Sequence, residues 1–98
     1  MNKLVIQLQA TQEADDTARW YEDQFPGLGA EFILELDAAL HRIQSNPEIY
    51  QPVYHGVRRI LIRRFPVAAY FLTEADTVRV VAILHQSRDP AVWKSRLP

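Results

Sequence analysis

Val57-Arg58-Arg59-Ile60-Leu61-Ile62-Arg63-Arg64-Phe65-Pro66, followed by the apolar runs Val67 to Thr73 and Thr77 to Gln86, is the stretch around which the rest of the chain is organised. Apolar and β-branched residues dominate it, and it is interrupted at Pro66 and again at Glu74-Ala75-Asp76. That pattern predicts three consecutive antiparallel strands, near residues 57–64, 67–73 and 77–86. Side chains alternate across a strand, so parity sorts them into two faces. Even positions give Ile60, Ile62, Ala68, Tyr70, Leu72, Val78, Val80, Ala82 and Leu84, an apolar set expected to face the core. Odd positions give Arg59, Leu61, Arg63, Ala69, Phe71, Thr73, Arg79, Val81, Ile83 and His85, where cations stand among apolar groups. A face of that composition is either a docking surface or lies under another segment of the same chain, and the sequence leaves both open.

Upstream, Leu4-Val5-Ile6-Gln7-Leu8-Gln9 reads as a first strand with Leu4, Ile6 and Leu8 inward. Thr11 is the expected N-cap of a helix, with Glu13, Asp15 and Asp16 in the turn where the helix dipole favours negative charge. Ala14, Ala18, Tyr21 and Phe25 recur at helical spacing as a packing stripe, with Trp20 on its flank. Pro26-Gly27-Leu28-Gly29 ends that helix and turns the chain into a second, whose stripe runs through Phe32, Leu36, Leu40 and Ile43 to Asn46-Pro47. Residues 49–56, with two prolines and a glycine, form an irregular connection. Asp89-Pro90 opens a short terminal helix toward Trp93 and Arg96. The expected fold class is α+β. A single domain spans residues 1–98 in the order β-α-α-β-β-β-α, its antiparallel sheet packed on one face by a two-helix hairpin.

The 98 residues suit one core. Without cysteine the chain has no disulfide, thiolate metal site or cysteine nucleophile, which fits a reducing cytoplasm. The start of the chain lacks the apolar run of a signal peptide, and no stretch approaches the ~20 residues of a membrane span. The net charge of -1 hides a division: residues 1–56 carry nine acids against Lys3, Arg19 and Arg42, whereas residues 57–98 carry eight cations against Glu74, Asp76 and Asp89. An acidic partner is expected for the sheet half, and the molecule as a whole has no long-range attraction for nucleic acid.

No phosphate-binding glycine loop, metal-ligand cluster, cofactor motif or serine triad is present in the sequence. His85 has the most suggestive setting, three residues before Arg88 at the end of the last strand. One reading makes it a general acid or base beside a phosphate-holding arginine, as an RNA-cleaving site requires. The other makes it a hydrogen-bonding histidine at a strand end, and lacking a second titratable partner it is weighted toward that structural role. Arg59, Arg63 and Arg79 can each fork onto carboxylates or phosphates.

Taken together, Trp20-Tyr21-Glu22-Asp23-Gln24, Pro26-Gly27-Leu28-Gly29, Asn46-Pro47, Gly56-Val57-Arg58-Arg59, Arg64-Phe65-Pro66 and Leu84-His85 with Arg88-Asp89-Pro90 and Trp93 resemble the RelE/ParE toxin superfamily, in its ParE or plasmid-stabilisation branch. The resemblance runs from about Ala14 to Arg96. It implies the toxin of a type II toxin-antitoxin pair, neutralised by a co-expressed antitoxin in a toxin-antitoxin hetero-oligomer. ParE-like members poison DNA gyrase by binding it, without enzymatic chemistry, metal or cofactor. RelE-like members cleave mRNA on the ribosome with basic side chains and commonly a C-terminal tyrosine. This chain has no lysine in the three strands and no tyrosine after Tyr70. The leading expectation is therefore a protein-binding toxin. The alternatives are a ribosome-dependent endoribonuclease using His85 and Arg88, or a member that binds antitoxin without being toxic. The residues expected to bind antitoxin or target are Arg59, Leu61, Arg63, Phe71, Arg79, Val81 and Ile83.

Overall fold

The computed structural model describes residues 2–97, with Met1 and Pro98 outside the described residues. Its elements are β1 (Lys3–Ile6), α1 (Leu8–Gln24), α2 (Leu28–Ser45), a 3-10 turn (Pro47–Ile49), β2 (Pro52–Tyr54), β3 (Val57–Leu61), β4 (Val67–Glu74), β5 (Thr77–His85) and α3 (Ala91–Lys94). The strands form one sheet in the order β1-β5-β4-β3-β2. It is antiparallel from β2 through β5, and β1 joins β5 in parallel. The α+β class and the order of the main elements are those read from the sequence. The connection before Gly56 supplies one further short edge strand, β2.

α1 begins a turn earlier than Thr11. Gln7 donates its backbone N–H to Val80 C=O at 2.9 Å, which completes the pairing of β1, and its own carbonyl accepts Thr11 N–H at 3.0 Å, which starts the helix. Leu8 therefore leaves the strand register and is exposed, contrary to its expected inward position. The stripe Ala14, Ala18 and Tyr21 packs inward as expected. Phe25 does not, because it already has extended backbone as the helix ends, and it lies in solvent.

The turn into α2 rests on two glycines that act differently. Gly27 has φ +89°, a conformation that costs any side-chain-bearing residue strain. Gly29 sits where a Cβ would lie 2.5 Å from Ala18 C=O, so its missing side chain lets the two helices touch. Glu22 closes the corner: its carboxylate accepts Gly27 N–H at 2.9 Å and Gly29 N–H at 3.0 Å, satisfying donors at the start of α2.

The helical hairpin covers one face of the sheet. Phe32, Tyr21 and Phe65 meet there with ring centroids 4.8–5.6 Å apart, in tilted and edge-on contacts. The continuous parity expected across the three strands fails at two places. In the β3–β4 hairpin Ile60 lies opposite Ala69, so even positions of β3 share a face with odd positions of β4. In β5 the register slips between the pairs Phe71–Val80 and Tyr70–Ala82, a bulge that reverses parity within the strand. The face under the helices is consequently Ile60, Ile62, Val67, Ala69, Phe71, Val78, Val80 and Ile83.

The other face carries Val57, Ala68, Tyr70, Val81, Ala82 and Leu84, and the chain's own C-terminal segment covers it through Trp93. Trp93 stacks on Tyr70 at 4.9 Å and 22° and meets Tyr54 edge-on. The terminal helix starts one residue later than expected, with Pro90 rather than Asp89 at its N-cap, and Asp89 Oδ1 accepts Ala91 N–H at 2.9 Å just ahead of it. Of the two readings left open for the mixed face, cover by the same chain describes its centre. Among the described residues, no helix is long and apolar enough to cross a membrane.

Candidate protein-binding site

Glu13 and Arg96 are 83 positions apart and tie α1 to the C-terminal segment across β5. Arg96 donates from both terminal nitrogens to the Glu13 carboxylate at 2.8 and 3.0 Å, and also to Val81 C=O at 2.9 Å. Glu13 Oε1 accepts Ile83 N–H at 3.1 Å as well. With both side chains 17% exposed, this is the most enclosed ion pair among the described residues. The hydrogen bond to Glu13 raises the Arg96 guanidinium above its ordinary value against the opposing effect of burial.

Beside this pair, α1 and the end of β5 diverge to leave a cleft of about 610 Å³. Glu13, Asp16, Thr17 and Trp20 line the helix side, and Leu84, His85 and Arg88 the strand side. Trp20 is 58% exposed, and its ring stands edge-on to Tyr21 at 5.1 Å. His85 and Arg88 thus share a cleft, as the nuclease reading requires. The histidine is bound locally, however: its Nδ1 accepts Ser87 N–H at 3.1 Å and lies 2.7 Å from Ser87 Oγ. Nδ1 is thus taken up by the residue's own turn, and Nε2 is the ring nitrogen left for any other partner. The two carboxylates of the cleft are each paired with an arginine, Glu13 with Arg96 and Asp16 with Arg19 at 2.6 Å.

The seven residues expected on one binding face are not on one face. Arg59, Leu61, Arg79 and Val81 share the face opposite the helices, from their pairing with Tyr70, Ala68 and Leu72 and the packing of Val81. Phe71 and Ile83 are corrected to the helix side, where both are fully buried, because of the two parity reversals. Val81 lies within the bulge and is buried under the C-terminal segment. Arg63 is exposed in the turn after β3. Arg79 is engaged by Glu74 at 2.6 Å, and Leu61 is half exposed. Sequence reading missed Glu13, Arg96 and Trp20 as site residues. The separation of the first two gives no local signal, whereas the position of Trp20 beside the packing stripe was one. Among the described residues no cluster of metal-ligating side chains occurs.

A helical hairpin on a five-stranded sheet, with exposed aromatic and basic side chains around its rim and a histidine held by its own turn, defines a small α+β domain. The family model for the ParE toxin of the type II toxin-antitoxin system parDE matches residues 4–90. The chain belongs to that toxin family. A solved structure described as the chromosomal ParDE TA system from P. aeruginosa shares the fold: the TM-score is 0.78 at 18% identity, over 87% of this chain and 96% of that one. No curated protein matches the sequence.

Proposed function

We propose that this ParE-type toxin acts in the cytoplasm by binding a protein, with DNA gyrase as the target the family implies, and that a co-expressed antitoxin neutralises it by direct contact. The observation that carries the reading is the state of His85. The candidate acid–base residue of the nuclease alternative spends its Nδ1 on Ser87, within its own turn. Arg59, Leu61 and Arg79, with Arg63 at the adjoining turn, remain as a rim that suits an acidic, amphipathic antitoxin segment.

Induced expression tests the proposal. Filamentation with DNA damage, unchanged by His85→Gln, is the expected result. Rapid translation arrest with cleaved messages, abolished by His85→Gln in a folded protein, overturns it, since loss of a general base costs on the order of a hundredfold or more. Replacing Arg59 and Arg63 together by Gln is expected to slow antitoxin association and flatten its salt dependence, because rim charges act chiefly on the encounter.

A further inference from the structure

The sheet ends on β2 at one side and on β1 at the other, and the two edges differ. β2 is three residues long, contains Pro52 and pairs with β3 through a register irregularity, features that discourage a further strand. β1 has neither proline nor bulge and pairs with β5 in continuous register from Lys3 to Ile6. Lys3 N–H donates to Asp76 C=O at 2.7 Å and Gln7 N–H to Val80 C=O at 2.9 Å, so the odd-numbered residues turn their backbone groups toward β5. By alternation, Leu4 and Ile6 turn their N–H and C=O outward, to the open edge. Their side chains pack on the helix-side core, whereas Val5 is 41% exposed. From Leu4 to Gln12 the chain carries no charged side chain, although Val5, Leu8, Gln9, Thr11 and Gln12 are all exposed.

We infer that β1 is an interface between two copies of this chain, joined edge to edge as antiparallel strands so that their sheets continue as one. A twofold axis at Val5 places Leu4 opposite Ile6 of the second copy, and Val5 opposite Val5. In that register Leu4 and Ile6 exchange backbone bonds in both directions, which uses every outward group of the strand. Val5 then falls at the close, unbonded pairing where opposed side chains meet. Lys3, the one charge on the strand, faces Gln7 rather than itself, so the axis brings no like charges together. The uncharged start of α1 lies beside the joint, in keeping with interfaces whose centres are poor in charge. A four-residue strand makes a small contact, so the dimer is reversible and forms at high protein concentration. Arg59 lies on β3, near the far side of the sheet, and stays free in each copy.

Cysteine cross-linking reads this joint directly, because the chain has no cysteine of its own. Opposed residues at an unbonded antiparallel pair hold their Cβ atoms about 4.5–5.5 Å apart, close to the reach of a disulfide. With diamide as oxidant, Val5→Cys is expected to form a covalent dimer roughly tenfold faster or more than Leu34→Cys, since the twofold axis holds the two thiols together. Leu34, 71% exposed on α2, serves as the control away from the edge. Val5→Lys sets two cations against each other and is expected to weaken the dimer roughly tenfold or more in sedimentation velocity, with a melting curve near that of the parent. Cross-linking of the two cysteines at equal rates, or a dimer constant that Val5→Lys leaves unchanged, overturns the interface. So does a parent chain that sediments as a monomer at every concentration.

Discussion

Gly29 and Gly27 look alike in the sequence and are fixed by different physics. A methyl group at Gly29 collides with the backbone of α1, where a carbonyl oxygen cannot swing aside as a flexible side chain can. Gly29→Ala is therefore expected to cost about 1–3 kcal/mol in a urea unfolding experiment by forcing the helices apart. Gly27→Ala meets open space and suffers only from its positive φ, an expected cost of roughly 1–2 kcal/mol. The turn was legible in the residue types, but the contact between Gly29 and Ala18 was not, because it depends on how closely the helices cross. Two ionisable residues set the behaviour in alkali. Burial raises Tyr21 above its ordinary 10.0, and the bond to Glu13 raises Arg96 above its ordinary value. In both cases the unfolded chain releases its proton first; the Tyr21 contribution is intact below about pH 10 and falls as pH rises past it, whereas the Arg96 contribution persists to higher pH. Urea midpoints measured from pH 8 to 11 should decline above 10, less steeply in Tyr21→Phe.

Among the elements, β5 is where reading the sequence by alternation reached its limit. The run of apolar residues declared the strand, and its length, correctly. The bulge at Val81 did not show, because every residue around it is apolar and either face would accept it. That single inserted residue moved Ile83 into the helix-side core, and the β3–β4 register did the same for Phe71. Phe71→Ala is accordingly expected to lose about 3–5 kcal/mol of stability as a core truncation. If its melting temperature matched the parent, the assignment of Phe71 to the core would be wrong. The Glu13–Arg96 pair joins three elements, so it should behave cooperatively. Glu13→Ala and Arg96→Ala are each expected to cost roughly 2–3 kcal/mol by leaving a partner unpaired in a mostly enclosed site. The double variant should cost clearly less than their sum, and additivity would show that the pair contributes no coupling.

At the scale of the whole molecule, the division between an acidic N-terminal half and a basic C-terminal half survives folding as a difference between layers. The helices carry most of the carboxylates, and the later strands with their turns carry most of the arginines. The fold class and element order were legible because hydrophobic period, turn residues and glycine positions all agree. The site was less legible, since it is made where Trp20, His85 and Arg88 converge from distant parts of the chain and where β1 stops short of β5. Toxicity through protein binding is most directly measured by adding purified toxin to DNA gyrase and relaxed plasmid. The expected result is loss of supercoiling, equal for the parent and His85→Gln and relieved by the antitoxin. Undisturbed supercoiling, with cleavage of mRNA on translating ribosomes by the parent but not by His85→Gln, would contradict it.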